Sequence, residues 1–204
     1  MEDINLSCKI EDKPILNFRL RWIIVIVVIV SVFFIFNDFI VSQILNRGDS
    51  YYGFGMLNDA IREYKKVLLL DSDNEEALNW LGYSYLKLGD HENAKRFYER
   101  AIRLNPYDYF ARLDLGLIYV DEGKFKEAKR IFEAASKTNP QDVKISGAYL
   151  RDYKMCLDWL ARVQIKLNEI NGAIDTYNKI LQIDPENEGI RVKLNELKRK
   201  EQRR

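Results

Sequence analysis

The side chains able to perform acid–base, nucleophilic or metal chemistry are few in this chain, and their spacing does not group them. Its only histidine is His91, in Gly89-Asp90-His91-Glu92. With one imidazole there is no His-based metal cluster and little scope for a Ser/His or Cys/His dyad. Cys8 and Cys156 fall on opposite sides of a long apolar stretch, so they are not expected to pair. Cys156 occupies an apolar position of a helical pattern and reads as a buried thiol. The acidic pairs Glu75-Glu76 and Asp121-Glu122 stand at the ends of helical patterns, where carboxylates are ordinary surface charge. Gly53-Phe54-Gly55 is no phosphate loop, because no strand precedes it and no Gly-Lys-Ser/Thr follows. The expectation is a protein that is not an enzyme, with no cofactor and no metal. With 32 basic against 31 acidic residues, no global charge draws it to nucleic acid. The exception is the basic run from Lys198 to Arg204, which suits the C-terminal dipole of a last helix.

The order in the chain is periodic. Gly82, Tyr85, Gly89, Ala94, Tyr98, Ala101 and Pro106 recur as Gly116, Tyr119, Gly123, Ala128, Phe132, Ala135 and Pro140. One period upstream lie Gly48, Tyr51, Gly55, Ala60 and Tyr64. A fixed period of about 34 residues predicts a solenoid of stacked helical units rather than one closed core. Gly82, Gly116, Ala94 and Ala128 are small where two helices must cross closely. Tyr85, Tyr119, Tyr98 and Phe132 are the large side chains expected to fill the space beside them. Gly89 and Gly123 sit where the first helix of a unit stops, and glycine takes the left-handed conformation of such a stop. Pro106 and Pro140 end the second helix.

This pattern, Leu81-Gly82-x-x-Tyr85 followed by Gly89, Ala94, Tyr98, Ala101 and Pro106, resembles the tetratricopeptide repeat, whose unit is two antiparallel helices. The resemblance implies an all-α superhelix in which the first helices of successive repeats line a concave face. Carrying the family's groove positions onto this chain gives Asn79, Trp80, Tyr83, Leu86 and Lys87 from the second repeat. The third supplies Phe110, Leu113, Asp114, Leu117 and Asp121, and the fourth Asp158, Trp159, Arg162 and Lys166. Two tryptophans, a tyrosine and a phenylalanine among these describe an aromatic, peptide-sized trough with a mixed-charge rim. The competing reading is that Trp80 and Trp159 pack between neighbouring helices. The family's carboxylate clamp, which grips chaperone C-termini with Lys and Asn, is not matched. Its positions carry Leu45, Asp49, Trp80, Phe110 and Asp114 here, so no cationic grip is expected.

The repeats are read as 42–74, 75–108, 109–142 and 143–187. In the last, Tyr177 and Ala173 follow Phe132 and Ala128 by more than one period. The excess, about 11 residues, falls around Val143–Tyr153 and is close to three helical turns. Such an insertion lengthens a helix without rotating its apolar face. Tyr149, Tyr153, Leu157 and Leu160 keep a helical apolar stripe through the junction, which predicts one long first helix over about Ser146–Leu167. The alternative is a loop at Ile145-Ser146-Gly147 with an ordinary helix after it. Residues 188–204 read as a capping helix with Ile190, Leu194 and Leu197 on one side.

Upstream, the stretch Trp22–Phe36 is uncharged throughout and apolar except for Ser31. With its flanks, 20–41 is long enough to cross a hydrocarbon core of roughly 30 Å. Asn37 and Asp38 interrupt its C-terminal end, near the interface. No small-x-small cleavage site follows, so an uncleaved signal anchor is expected rather than a signal peptide. Lys13, Arg19 and Arg21 precede the span, whereas Arg47 follows it. This asymmetry places residues 1–19 in the cytoplasm and the repeats outside it, in the periplasm of a bacterium. No Gly/Pro linker separates span from repeats. The expectation is a single-pass membrane protein, seated in the lipid bilayer, whose repeats bind another protein or peptide and no nucleic acid. The alternatives are a constitutive structural subunit, its groove filled by a neighbour or by its own homo-oligomer, and an accessory subunit of a membrane enzyme.

Overall fold

A computed structural model describes residues 14–137 and 147–203. Among these the chain forms helices only: α1 (Pro14–Gly53), α2 (Leu57–Leu70), α3 (Glu75–Lys87), α4 (His91–Leu104), α5 (Tyr109–Asp121), α6 (Phe125–Ser136), α7 (Gly147–Lys166), α8 (Ile170–Ile183) and α9 (Glu188–Glu201). Pro140 and Cys8 lie outside the described residues. The chain divides into two units, 1–43 and 44–204.

The first unit contains most of α1. From Leu20 onward α1 is long and apolar enough to cross a membrane. Among the described residues, Ile23 to Phe36 are exposed, so the apolar surface of this helix is not taken up by a protein core. Asn37 and Asp38 do not end the helix, which continues to Gly53. Two polar side chains leave the main-chain hydrogen bonds of a helix intact, so a change of polarity is not a change of backbone.

The second unit begins with the last turns of α1 and stacks its helices in sequence order. From α2 onward each packs on its chain neighbour, and α3 with α5 and α5 with α7 also meet directly. Apolar positions at helical spacing dictate this arrangement. Ala60, Tyr64 and Val67 are buried on α2, and Ala94, Tyr98 and Ala101 on α4. One continuous core joins α3, α4 and α5 through Leu78, Tyr98, Leu115 and Ile118. A second joins α5 through α9 by way of Phe132, Tyr153, Leu157, Tyr177 and Leu194. Burial between successive neighbours is the thermodynamic signature of a solenoid.

Polar side chains start the helices. Asn74, Asp90, Asp108 and Asn187 accept from the backbone N–H three residues on, at 2.9, 3.1, 2.9 and 3.1 Å, satisfying donors the helix leaves open. Glycines end α3 and α5, with φ of +76° at Gly89 and +70° at Gly123. The close crossings are real. A Cβ on Gly82 would lie 2.7 Å from Tyr98 Cε1, and one on Gly116 2.3 Å from Phe132 Cε1. Tyr85 serves a different contact, stacking on Phe97 at 5.6 Å. Helix α7 has 20 residues where α3 and α5 have 13. Helix α9 closes the stack by burying Ile190, Leu194 and Leu197, with Lys198, Arg199 and Lys200 in its last turn.

Candidate protein-binding groove

The first helices of the repeats carry the candidate residues at i, i+3, i+4 and i+7 spacings, so each set falls on one helix face. On α3 these are Asn79, Trp80, Tyr83 and Lys87. Trp80 is half-buried in a run of rings: its centroid lies 5.1 Å from Tyr52, 6.1 Å from Tyr64 and 6.2 Å from Tyr83. The Tyr64 and Trp80 planes are only 9° apart, a stacked pair. Tyr83 continues the run to Phe110 of α5 at 6.0 Å. The Lys87 ammonium stands 5.0 Å above the Tyr83 ring, a cation–π contact at the exposed end of the row. Burial, with the hydrogen bond to Tyr83, pushes the Tyr52 phenol up to about 12, so it stays a neutral donor throughout the physiological range.

On α5 the candidates divide. Phe110 and Leu117 are half-buried, whereas Leu113 and Asp114 are buried in the helix packing. The Asp114 carboxylate accepts from the Tyr98 hydroxyl at 2.6 Å, which ties α5 to α4. Burial raises Asp114 above the usual carboxylate range against the opposing pull of that hydrogen bond. Leu113 and Asp114 therefore act as wall, not as groove surface.

On α7, Asp158, Trp159 and Arg162 form a separate cluster. The Arg162 guanidinium lies 4.8 Å over the Trp159 ring and 2.7 Å from Asp158. Asp158 also accepts from Lys193 of α9 at 2.7 Å, so this carboxylate is committed to joining the last two inner helices. Cys156, just before it on α7, is fully buried with its Sγ 3.6 Å from the Tyr109 carbonyl. Burial pushes its thiol up, away from the reactive thiolate.

Two cavities adjoin these clusters. One, of about 400 Å³, is lined by Trp80, Phe110 and Tyr149, with Glu75, Glu76, Asn79 and Asp108 supplying polar groups. The other, of about 340 Å³, is lined by Val120, Phe125, Trp159 and Val163 with Arg162 and Lys166 at its rim. Both fall within the size of pockets that take a side chain or small ligand, roughly 300–1,000 Å³. Asn79 itself donates to Asp108 Oδ2 at 2.6 Å. The structure thus brings Asn79, Trp80 and Phe110 together around one opening, with Tyr83 packed against both rings, and Trp159 and Arg162 around another.

Several residues beside these openings are absent from the set that the sequence supplies. Tyr52 stands one period before Leu86, and Phe125 one period after His91, so the repeat register alone places Tyr52 at a groove position. Tyr149 lies in the added segment and has no counterpart in another repeat; periodicity carries no signal for it.

Comparison with known proteins supports this architecture. Models of the tetratricopeptide repeat match residues 48–89, 85–149 and 156–187. No curated protein matches the sequence. Among solved structures, the pilF protein of Pseudomonas aeruginosa is similar with a TM-score of 0.61 at 16% identity, over 82% of this chain and 71% of that one. A MamA structure is similar at 0.58 and 25% identity, over 71% and 78%. MamA from Desulfovibrio magneticus RS-1, from residue 41 to its end, is similar at 0.58 and 17%, over 79% and 85%. Helical pairs, crossing glycines and matched models together make this chain a member of the tetratricopeptide-repeat family.

Proposed function

We propose that this protein is a membrane-anchored scaffold that captures a segment of another protein in its groove and so supports assembly of a membrane or envelope complex. Helix α1 is the anchor, with residues 1–19 in the cytoplasm and the repeats on the outer side, as the basic residues before the span suggest. The observation that carries the binding reading is the half-exposed row Trp80, Tyr83 and Phe110, of which Trp80 and Phe110 line an open cavity of about 400 Å³. Half-buried aromatic anchors next to a pocket are where interfaces concentrate their binding energy. The repeat family also supports a protein partner.

The test is crosslinking capture by the full-length chain in detergent, comparing the native protein with Trp80→Ala and Trp159→Ala. Loss of an anchor is expected to weaken capture about 30-fold, equivalent to about 2 kcal/mol. Unchanged capture accompanied by a large fall in melting temperature would show these rings to be packing alone. Protease accessibility of the repeats in intact cells against opened membranes checks the topology.

A further inference from the structure

We propose that the cavity walled by Trp80, Phe110 and Tyr149 is a cage for an arginine side chain of the captured segment. The proposal rests on the groove-binding reading above and supplies the chemistry of its partner.

Three aromatic rings form the walls, and the polar side chains that complete the lining are carboxylates and one amide. Asn79 and Asp108 form one polar wall. The Asp108 carboxylate accepts from the Ala111 N–H through Oδ1 at 2.9 Å, and Oδ2 faces the Asn79 amide at 2.6 Å. A carboxylate cannot donate, so the Asn79 nitrogen must face Asp108 and the Asn79 oxygen must face away. That Oδ1 is buried and has no hydrogen-bond partner among the described residues. It is closed to solvent, so Asn79 and Asp108 brace each other as wall, and the charge a ligand meets is that of the glutamates at the mouth. At the mouth, Glu76 is exposed and makes no hydrogen bond or ion pair among the described residues. Its neighbour Glu75 gives one oxygen to Asn105 at 3.0 Å and keeps the other. Among the described residues no lysine or arginine lines the cavity.

Such a cavity asks for a cation with a flat face and several donors. Guanidinium has five N–H groups in one plane, stacks on aromatic rings, and grips a carboxylate with two parallel bonds. A lysine ammonium meets the charge but not the planar walls, and an acidic side chain is repelled by Glu75 and Glu76. The second cavity gives the contrast, since Arg162 and Lys166 at its rim oppose a cation there.

The added residues of the fourth repeat acquire a purpose in this reading. Helices α3 and α5 begin at Glu75 and Tyr109, and the same register begins α7 at Lys154. Gly147–Tyr153 are therefore two extra turns, and they deliver Tyr149 to a cavity whose other walls belong to α3 and α5.

The test uses full-length protein in detergent with Trp22→Phe and Trp159→Phe, so that Trp80 is the only indole of the three. The probes are N-acetyl-arginine methylamide and its citrulline analogue, which has nearly the same shape and no charge. Arginine is expected to change Trp80 fluorescence saturably, with citrulline at least tenfold weaker. Glu76→Gln and Tyr149→Ala are each expected to weaken arginine about tenfold; neither residue is packed in the core, and a thermal melt verifies folding. Equal titration by arginine and citrulline overturns the proposal, as does arginine binding unchanged by Glu76→Gln. If partner capture still depends on Trp80 in that case, the groove reading stands with another anchor chemistry. If capture ignores Trp80 and Trp159 alike, the groove reading has failed independently.

Discussion

The first three repeats and the fourth solve one packing problem in two ways. In the former, the inner helix carries Gly48, Gly82 or Gly116 where it meets the outer helix. A Cβ there would stand 2.5, 2.7 or 2.3 Å from the ring of Tyr64, Tyr98 or Phe132. In the fourth, the same register holds Ala161, fully buried, with Tyr177 at the ring position. The turn that follows changes in step: Gly55, Gly89 and Gly123 have φ of +73°, +76° and +70°, whereas Asn168 supplies +64°. Helix α7 is also longer and lies against both α5 and α6. What is preserved is the geometry of a helical hairpin, not the residue types that usually deliver it. The fourth repeat holds a methyl group where the others admit only hydrogen.

The largest expected effect tests that contrast directly. Gly116→Ala forces a methyl into the face of Phe132, a buried ring with no room to retreat, and should cost about 2–3 kcal/mol. At about 2–4 °C per kcal/mol, the loss is readily seen in a thermal melt followed by circular dichroism. Ala161→Gly in the fourth repeat should cost only about 1 kcal/mol, from helix propensity. Adding Phe132→Leu to Gly116→Ala should recover part of the loss. Similar small effects at both sites would dissolve the distinction between the repeats.

The turns give a smaller and physically different effect. Nothing lies within 4 Å of a Cβ built on Gly123, so Gly123→Ala meets no clash and pays only for the left-handed backbone. A loss of about 1 kcal/mol is expected. Asn168→Gly should fall within a few tenths of a kcal/mol of the native chain, because asparagine already tolerates this conformation. Urea unfolding with a constant m-value would measure both.

These features differ in how far the chain announces them. Gly82, Gly89, Gly116 and Gly123 take their roles from spacing, because glycine returns at both positions in each of the first three repeats. The cap residues Ile190, Leu194 and Leu197 are equally visible from a single apolar stripe. Asn168 is not, since its role passes from glycine to asparagine at a shifted spacing. The groove is legible in outline and not in detail. Periodicity assigns Leu113 and Asp114 to the same face as Trp80, but the buried hydroxyl of Tyr98 turns Asp114 inward. Tyr149 needs the three-dimensional reach of two extra turns. Repetition reveals what every copy shares, and specificity lives in what one copy changes.

Asp114 provides the finest comparison, because its register counterparts are Trp80 and Trp159. One repeat later, Phe132 replaces the hydroxyl-bearing Tyr98 as Trp159 replaces Asp114, so polarity changes on both partners at once. Burial raises the folded-state pKa of Asp114 above its unfolded value of about 3.9. The folded chain then holds this proton more tightly than the unfolded chain does. Its contribution to stability is complete below pH of about 3.9 and is lost as pH rises through the higher folded value. Asp114→Asn keeps an oxygen to accept from Tyr98 and removes the buried charge. The variant is expected to melt slightly higher than the native chain at pH 7, with the advantage shrinking as the native carboxyl protonates. A variant that melts lower at pH 7, by the same amount in acid, would assign the value of this pair to its shape and hydrogen bond rather than to charge. The polar pair of the third repeat would then be an equal alternative to the aromatic one of the fourth.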